Sequence, residues 1–122
     1  MGLRAVMTAG DLTLSGELLD ISGGGCRLGV ALALLTAEEK QAVTVGTTGT
    51  VVLPAEARTL HCAVEIMHVS TNQPNGLPNL HLRFRWLPPL TRQHLHSWLD
   101  TLARRDFFSR RGTAEDLSVR RA

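Results

Sequence analysis

A chain of 122 residues, 43% of them hydrophobic, is one ordinary domain, long enough to bury about two-thirds of its unfolded surface. Its longest apolar run covers eight residues, 28–35, against the roughly 20 that a bilayer-crossing helix needs. No basic-then-apolar leader opens it, and two cysteines, Cys26 and Cys62, are too few for a disulfide framework and read as reduced, buried thiols of a cytoplasmic protein.

The first elements are strands. Leu3–Thr8 and Leu12–Leu19 flank Gly10-Asp11, the signal of a tight hairpin turn. In the second strand Leu12, Leu14, Gly16 and Leu18 alternate with Thr13, Ser15, Glu17 and Leu19, the pattern of a half-buried strand. Ser22–Gly25 interrupts, and Cys26–Val30 resumes. Thr36-Ala37-Glu38-Glu39 has the form of a capping box, with one or two helical turns after it ending near Gly46. Thr47–Pro54 is a strand rich in Thr and Val. Arg58–Val69 is a long strand with Leu60, Cys62, Val64, Ile66 and His68 on one face. Asn72–Asn79 is a loop by composition. Leu80–Leu87 alternates again, with Leu80, Leu82, Phe84 and Trp86 inward and His81, Arg83 and Arg85 outward.

Pro88-Pro89 stops that strand, and Thr91 is placed to cap a helix. Leu95, Trp98, Leu99 and Leu102 then share one stripe of a helix running to about Phe108. Five or six short strands followed by one amphipathic helix predict an all-β fold. It is a six-stranded antiparallel barrel with the C-terminal helix over one opening. The domain is expected to span 1–108, with 109–122 as a basic, mobile tail: residues 103–122 carry six arginines against three acids.

The segment that carries chemistry is Asp20-Ile21-Ser22-Gly23-Gly24-Gly25, where one strand ends and the next begins. A carboxylate at a strand end can accept two parallel N–H bonds from a planar partner, and the Watson–Crick edge of guanine offers that pair. The Ser hydroxyl donates or accepts. The glycines permit positive φ and let a ligand approach the backbone. The same residues also serve as an ordinary turn between strands.

Leu19-Asp20-Ile21-Ser22-Gly23-Gly24-Gly25-Cys26-Arg27-Leu28 resembles the Asp-x-Ser-x-x-Gly signature of PilZ domains. Leu80-His81-Leu82-Arg83-Phe84 resembles the strand before that family's last helix. Leu95–Arg105 resembles the helix itself, in the Arg-rich form of the YcgR-type flagellar-brake branch. The resemblance implies a six-stranded barrel that binds cyclic di-GMP and regulates motility or exopolysaccharide output through a flagellar motor or polysaccharide synthase partner, without catalysis. It implies that Asp20, Ser22 and Gly25 contact a guanine and its adjoining backbone. The family's second signature, Arg-x-x-x-Arg, precedes the barrel at a distance greater than the 19 residues before Asp20, and it occurs nowhere in these 122 residues. The expectation is a receptor module lacking its arginine segment, which folds but binds cyclic di-GMP weakly. In the intact receptor, upstream arginines would order over the ligand's phosphates. Arg4, Arg27 and the tail arginines lack the family's spacing. The alternative is a ligand-blind PilZ-like adaptor between proteins.

Other chemistries find little support. His61, His68, His81, His94 and His96 show no metal-ligand spacing, and no Cys-x-x-Cys occurs. Ser22 lacks a Gly-x-Ser-x-Gly elbow, and no phosphate-loop Gly-Lys is present. No enzyme activity, metal or cofactor is expected. Five aromatic residues, none of them Tyr, offer a poor stacking platform for nucleic acid. Trp86 and Trp98 are expected to anchor barrel to helix.

Overall fold

In the computed structural model, residues 3–55, 58–70 and 78–109 are described, with side chains of the last helix as far as Arg104. Alternating apolar residues build six strands: β1 (Leu3–Ala9), β2 (Leu12–Ile21), β3 (Gly25–Gly29), β4 (Thr48–Ala55), β5 (Arg58–Ser70) and β6 (Asn79–Phe84). All neighbours are antiparallel, and the order β1-β2-β3-β6-β5-β4 closes on itself, β1 pairing with β4 through Val6–Val52, Met7–Val51 and Thr8–Thr50. Closure gives each of the six described strands a paired neighbour on both sides, so none of them is an edge strand. The predicted barrel is therefore the observed one.

The inner positions of every strand meet in one core. Met7, Leu18, Leu28, Val51, Leu53, Cys62, Val64, Ile66 and Leu80 are all essentially inaccessible. The β1–β2 hairpin turns on Gly10, whose φ of 62° suits a two-residue turn. Between β3 and β4, a 3-10 turn at Leu32–Leu34 leads into helix α1 (Ala37–Gln41). The predicted capping box is present: Thr36 Oγ1 accepts from Glu39 N–H at 3.1 Å, and Glu39 Oε1 accepts from Thr36 N–H at 2.9 Å. Val30 and Val43 of this excursion are buried, and Leu32 and Leu35 pack against the core.

Helix α2 (Pro89–Ser109) packs against the opposite end of the barrel. Leu95 and Trp98 are buried in the core, and Leu99 and Leu102 pack beside them, as the stripe predicted. The helix begins at Pro89, so Thr91 lies within its first turn and is not the cap. Proline suits that first turn because its missing N–H has no helical partner there. Arg58 of β5 reaches α2, its Nη1 lying 2.8 Å from His94 Nε2.

Two inward assignments and one loop assignment differ from expectation. Strand β6 ends at Phe84, and Trp86 is 72% exposed while Leu87 is buried. The chain leaves the sheet before Pro88-Pro89, so strand alternation no longer governs Trp86, and of the two tryptophans only Trp98 joins Leu95 in fixing the helix to the core. His68 is exposed because the β5–β6 register slips between Ile66 and His68, leaving Met67 as an extra residue and reversing the alternation. Asn79, expected in the loop, is the buried first residue of β6. Residues 71–77 and 110–122 lie outside the described residues, and with them most of the predicted loop and tail.

Candidate ligand-binding site

Asp20 owes its orientation to a second register slip. Counting back from the β2–β3 turn, Ile21 pairs with Cys26 and Asp20 with Arg27, but the next pair is Leu18 with Leu28. Leu19 is the extra residue of a β-bulge. Without it Asp20, two positions after inward Leu18, would point into the barrel. With it Asp20 shares the outer face with Arg27, whose neighbours Cys26 and Leu28 are both buried. Bulges re-aim side chains in this way, and they cluster beside functional sites.

The Asp20 carboxylate is not solitary. Arg27 Nε donates to Asp20 Oδ2 at 2.8 Å, and Arg27 Nη2 lies 2.6 Å from the same oxygen. Both guanidinium contacts fall on Oδ2. The expectation of a carboxylate at the very end of its strand is thus modified: β2 continues to Ile21, and a neighbouring strand supplies Asp20 with a counterion.

The turn that follows is closed by Ser22 N–H donating to the Gly25 carbonyl at 2.9 Å. Ser22 Oγ accepts from Gly24 N–H at 3.3 Å. The Gly24 carbonyl accepts from Phe84 N–H at 2.8 Å, fixing the turn to the end of β6. The positive φ anticipated for these glycines is absent; among the described glycines only Gly10 and Gly46 adopt it. Gly25 is required by proximity instead. A Cβ there would lie 2.0 Å from the Leu82 carbonyl oxygen on β6. Gly24 faces open space, and Gly23 approaches His96 of α2.

These residues border an open pocket of about 450 Å³ on the barrel's outer surface. Asp20, Ser22, Gly24 and Gly25 line it together with Arg27, Met67, His81 and Arg83. The structure therefore brings together all three predicted site residues, Asp20, Ser22 and Gly25. It adds Arg27, His81 and Arg83, which the motif did not indicate. One signal for Arg27 was available: counting outward from a four-residue turn at Ser22–Gly25 sets Asp20 opposite Arg27.

The electrostatics follow from the strand register. Arg27 pairs with His81, and His81 with His68, so Asp20, Arg27, His81 and His68 form a row across β2, β3, β6 and β5. Burial holds the His81 pKa below its ordinary value, and Arg27 and His68 push it the same way while Asp20 opposes them. His81 Nε2 lies 3.1 Å from Ser70 Oγ. Next to this row, Arg83 Nη2 donates to Glu65 Oε1 at 2.8 Å. Burial pushes the Cys26 thiol up to about 12, with Cys62 and Asp20 adding to the effect, so it is no nucleophile at neutral pH. Among the described residues no group of three or more His, Cys, Asp or Glu side chains could hold a metal ion. None of their helices is long and apolar enough to cross a membrane.

The described residues thus build a closed six-stranded barrel with a polar pocket beside a glycine-rich turn. The PilZ domain family model matches residues 1–101, and the chain belongs to that family of cyclic di-GMP receptors. Among solved structures it is similar to the Bacillus subtilis inhibitor of motility MotI/DgrA, with 18% identity and a TM-score of 0.66, covering 89% of this chain and 49% of that one. It is also similar to a Xanthomonas campestris pathogenic protein described as a tetrameric PilZ domain self-assembled through a helical bundle. There the identity is 22% and the TM-score 0.55, covering 80% of this chain and 47% of that one. The chain thus spans about half the length of each of these proteins. No curated protein matches it.

Proposed function

We propose that this chain is a cyclic di-GMP receptor module that acts by binding, in the cytoplasm, and passes the signal to a motility or exopolysaccharide partner. The observation that carries this reading is the convergence of Asp20, Ser22 and Gly25 on one open pocket, with a bulge dedicated to turning Asp20 outward. Guanine's N1–H and exocyclic amine suit the Asp20 carboxylate, and the exposed turn leaves the backbone accessible to the ligand. The motility side of the proposal draws on the likeness to an inhibitor of motility.

Isothermal titration of the 122-residue chain with cyclic di-GMP, beside an Asp20→Ala variant, tests the reading. Saturable binding that the variant loses supports it. Two observations favour a second reading, that of a ligand-blind adaptor. Asp20 already has a counterion in Arg27. Trp86 and Leu90 at the β6–α2 junction are 72% and 62% exposed, the kind of apolar surface a protein partner covers. Absence of cyclic di-GMP binding by a folded chain would select that reading.

A further inference from the structure

We infer that Arg27 and Arg83 form a phosphodiester subsite on the barrel wall, so that this chain carries phosphate-binding cations of its own. The inference rests on the reading of the pocket as a cyclic di-GMP site. That ligand is a dianion, and a phosphate brought beside the Asp20 carboxylate needs a compensating cation. The guanidinium fork matches phosphate in a bidentate manner.

The strand register places the two arginines as a pair. Arg27 is opposite His81 and Gly25 is opposite Arg83, so Arg27 and Arg83 are diagonal neighbours across β3 and β6. Such positions lie roughly 7–8 Å apart at the backbone, within mutual reach of long side chains. Both point outward, since Cys26, Leu28, Leu82 and Phe84 beside them are buried. Between them on the same face is Gly25, which has no side chain to occupy the space. Both arginines line the pocket, and among the described residues Asp20 is the only acid that does so. Each is held in place by a carboxylate, Arg27 by Asp20 and Arg83 by Glu65, with Arg83 59% exposed. When guanine N–H groups engage Asp20, Arg27 exchanges part of its carboxylate contact for phosphate. Spacing alone predicted weak binding; Arg27 and Arg83 supply locally the charge that the missing Arg-x-x-x-Arg would bring.

The test is titration of the full chain with cyclic di-GMP, comparing wild type with Arg27→Gln, Arg83→Gln and, as a control on α2, Arg92→Gln. Thermal melts confirm that each variant folds. Arg83→Gln leaves the Asp20–Arg27 pair intact, so its loss reads phosphate contact apart from carboxylate positioning. The expected result is a loss of at least tenfold for Arg27→Gln and for Arg83→Gln, with no change for Arg92→Gln. Wild-type affinity should also fall with added salt more steeply than that of Arg83→Gln. Tight binding unchanged in both pocket variants would overturn the subsite and leave the receptor reading standing. No binding by folded wild type would overturn the receptor reading and the subsite with it.

Discussion

Replacing Gly25 with alanine separates the structural use of the Asp-x-Ser-x-x-Gly motif from its use in binding. The added Cβ would lie 2.0 Å from the Leu82 carbonyl oxygen, where ordinary contact begins at 3.4 Å, and the atom it meets is strand backbone. One strand must give by about 1.4 Å, the difference between those two distances. Neither strand is free to do so: Gly25 is paired with Arg83, and the turn is tied to β6 through Phe84 N–H and the Gly24 carbonyl. Overpacking of this kind costs about 1–3 kcal/mol, and each backbone hydrogen bond lost adds about 1 kcal/mol. A total of about 2–4 kcal/mol lowers the melting temperature by on the order of 10 °C in a domain of this size. The assay is a thermal melt followed by circular dichroism, with Gly24→Ala as the comparison because its Cβ meets nothing within 4 Å. A Gly25→Ala melt within about 2 °C of wild type would refute the reasoning and leave Gly25 as a ligand contact alone.

Trp98→Ala removes the anchor of α2, which is 5% exposed. Denaturant titration should show a loss of about 3–5 kcal/mol. Trp86→Ser, at a position 72% exposed, should change stability by no more than about 0.5 kcal/mol. The reverse order would place the wrong tryptophan in the core. The lowered pKa of His81 means that the unfolded chain takes up a proton before the folded one does as pH falls below the ordinary 6.5. That contribution to stability is therefore complete above 6.5 and is lost as pH falls through the lowered folded-state value. Urea midpoints at about pH 7.5 and pH 5 should differ less in His81→Gln than in wild type.

Most of the architecture was legible because period-2 alternation and turn signals coincide along the chain. Leu14, Gly16 and Leu18, then Cys26 and Leu28, then Leu60 through Ile66, are apolar or small wherever the barrel faces inward. The Thr36 capping box and the Leu95–Trp98 stripe were readable for the same reason, since local chemistry and tertiary burial agree there. The bulges were not legible. An extra residue at Leu19 or Met67 changes no composition, yet it reverses the face of everything beyond it, sending Asp20 and His68 outward. Trp86 was misplaced by continuing the strand pattern past the point where Pro88-Pro89 draws the chain away. The motif located part of the pocket, and hairpin counting from the Ser22–Gly25 turn reaches Arg27. His81 and Arg83 join them only through the β3–β6 register, and pairing between strands so distant in sequence is not encoded in any local spacing.

The central claim is that the outer pocket beside Asp20 binds cyclic di-GMP, and calorimetric titration of the wild-type chain against Asp20→Ala tests it most directly. Two charge-assisted hydrogen bonds from a guanine edge, at about 1.5–3 kcal/mol each, make Asp20→Ala at least about a hundredfold weaker. The account predicts saturable wild-type binding with a Kd in the micromolar range or tighter, lost in a variant that still folds. A folded wild-type chain showing no saturation at ~1 mM ligand, weaker than about −4.1 kcal/mol, or an Asp20→Ala variant that binds as wild type does, would contradict it.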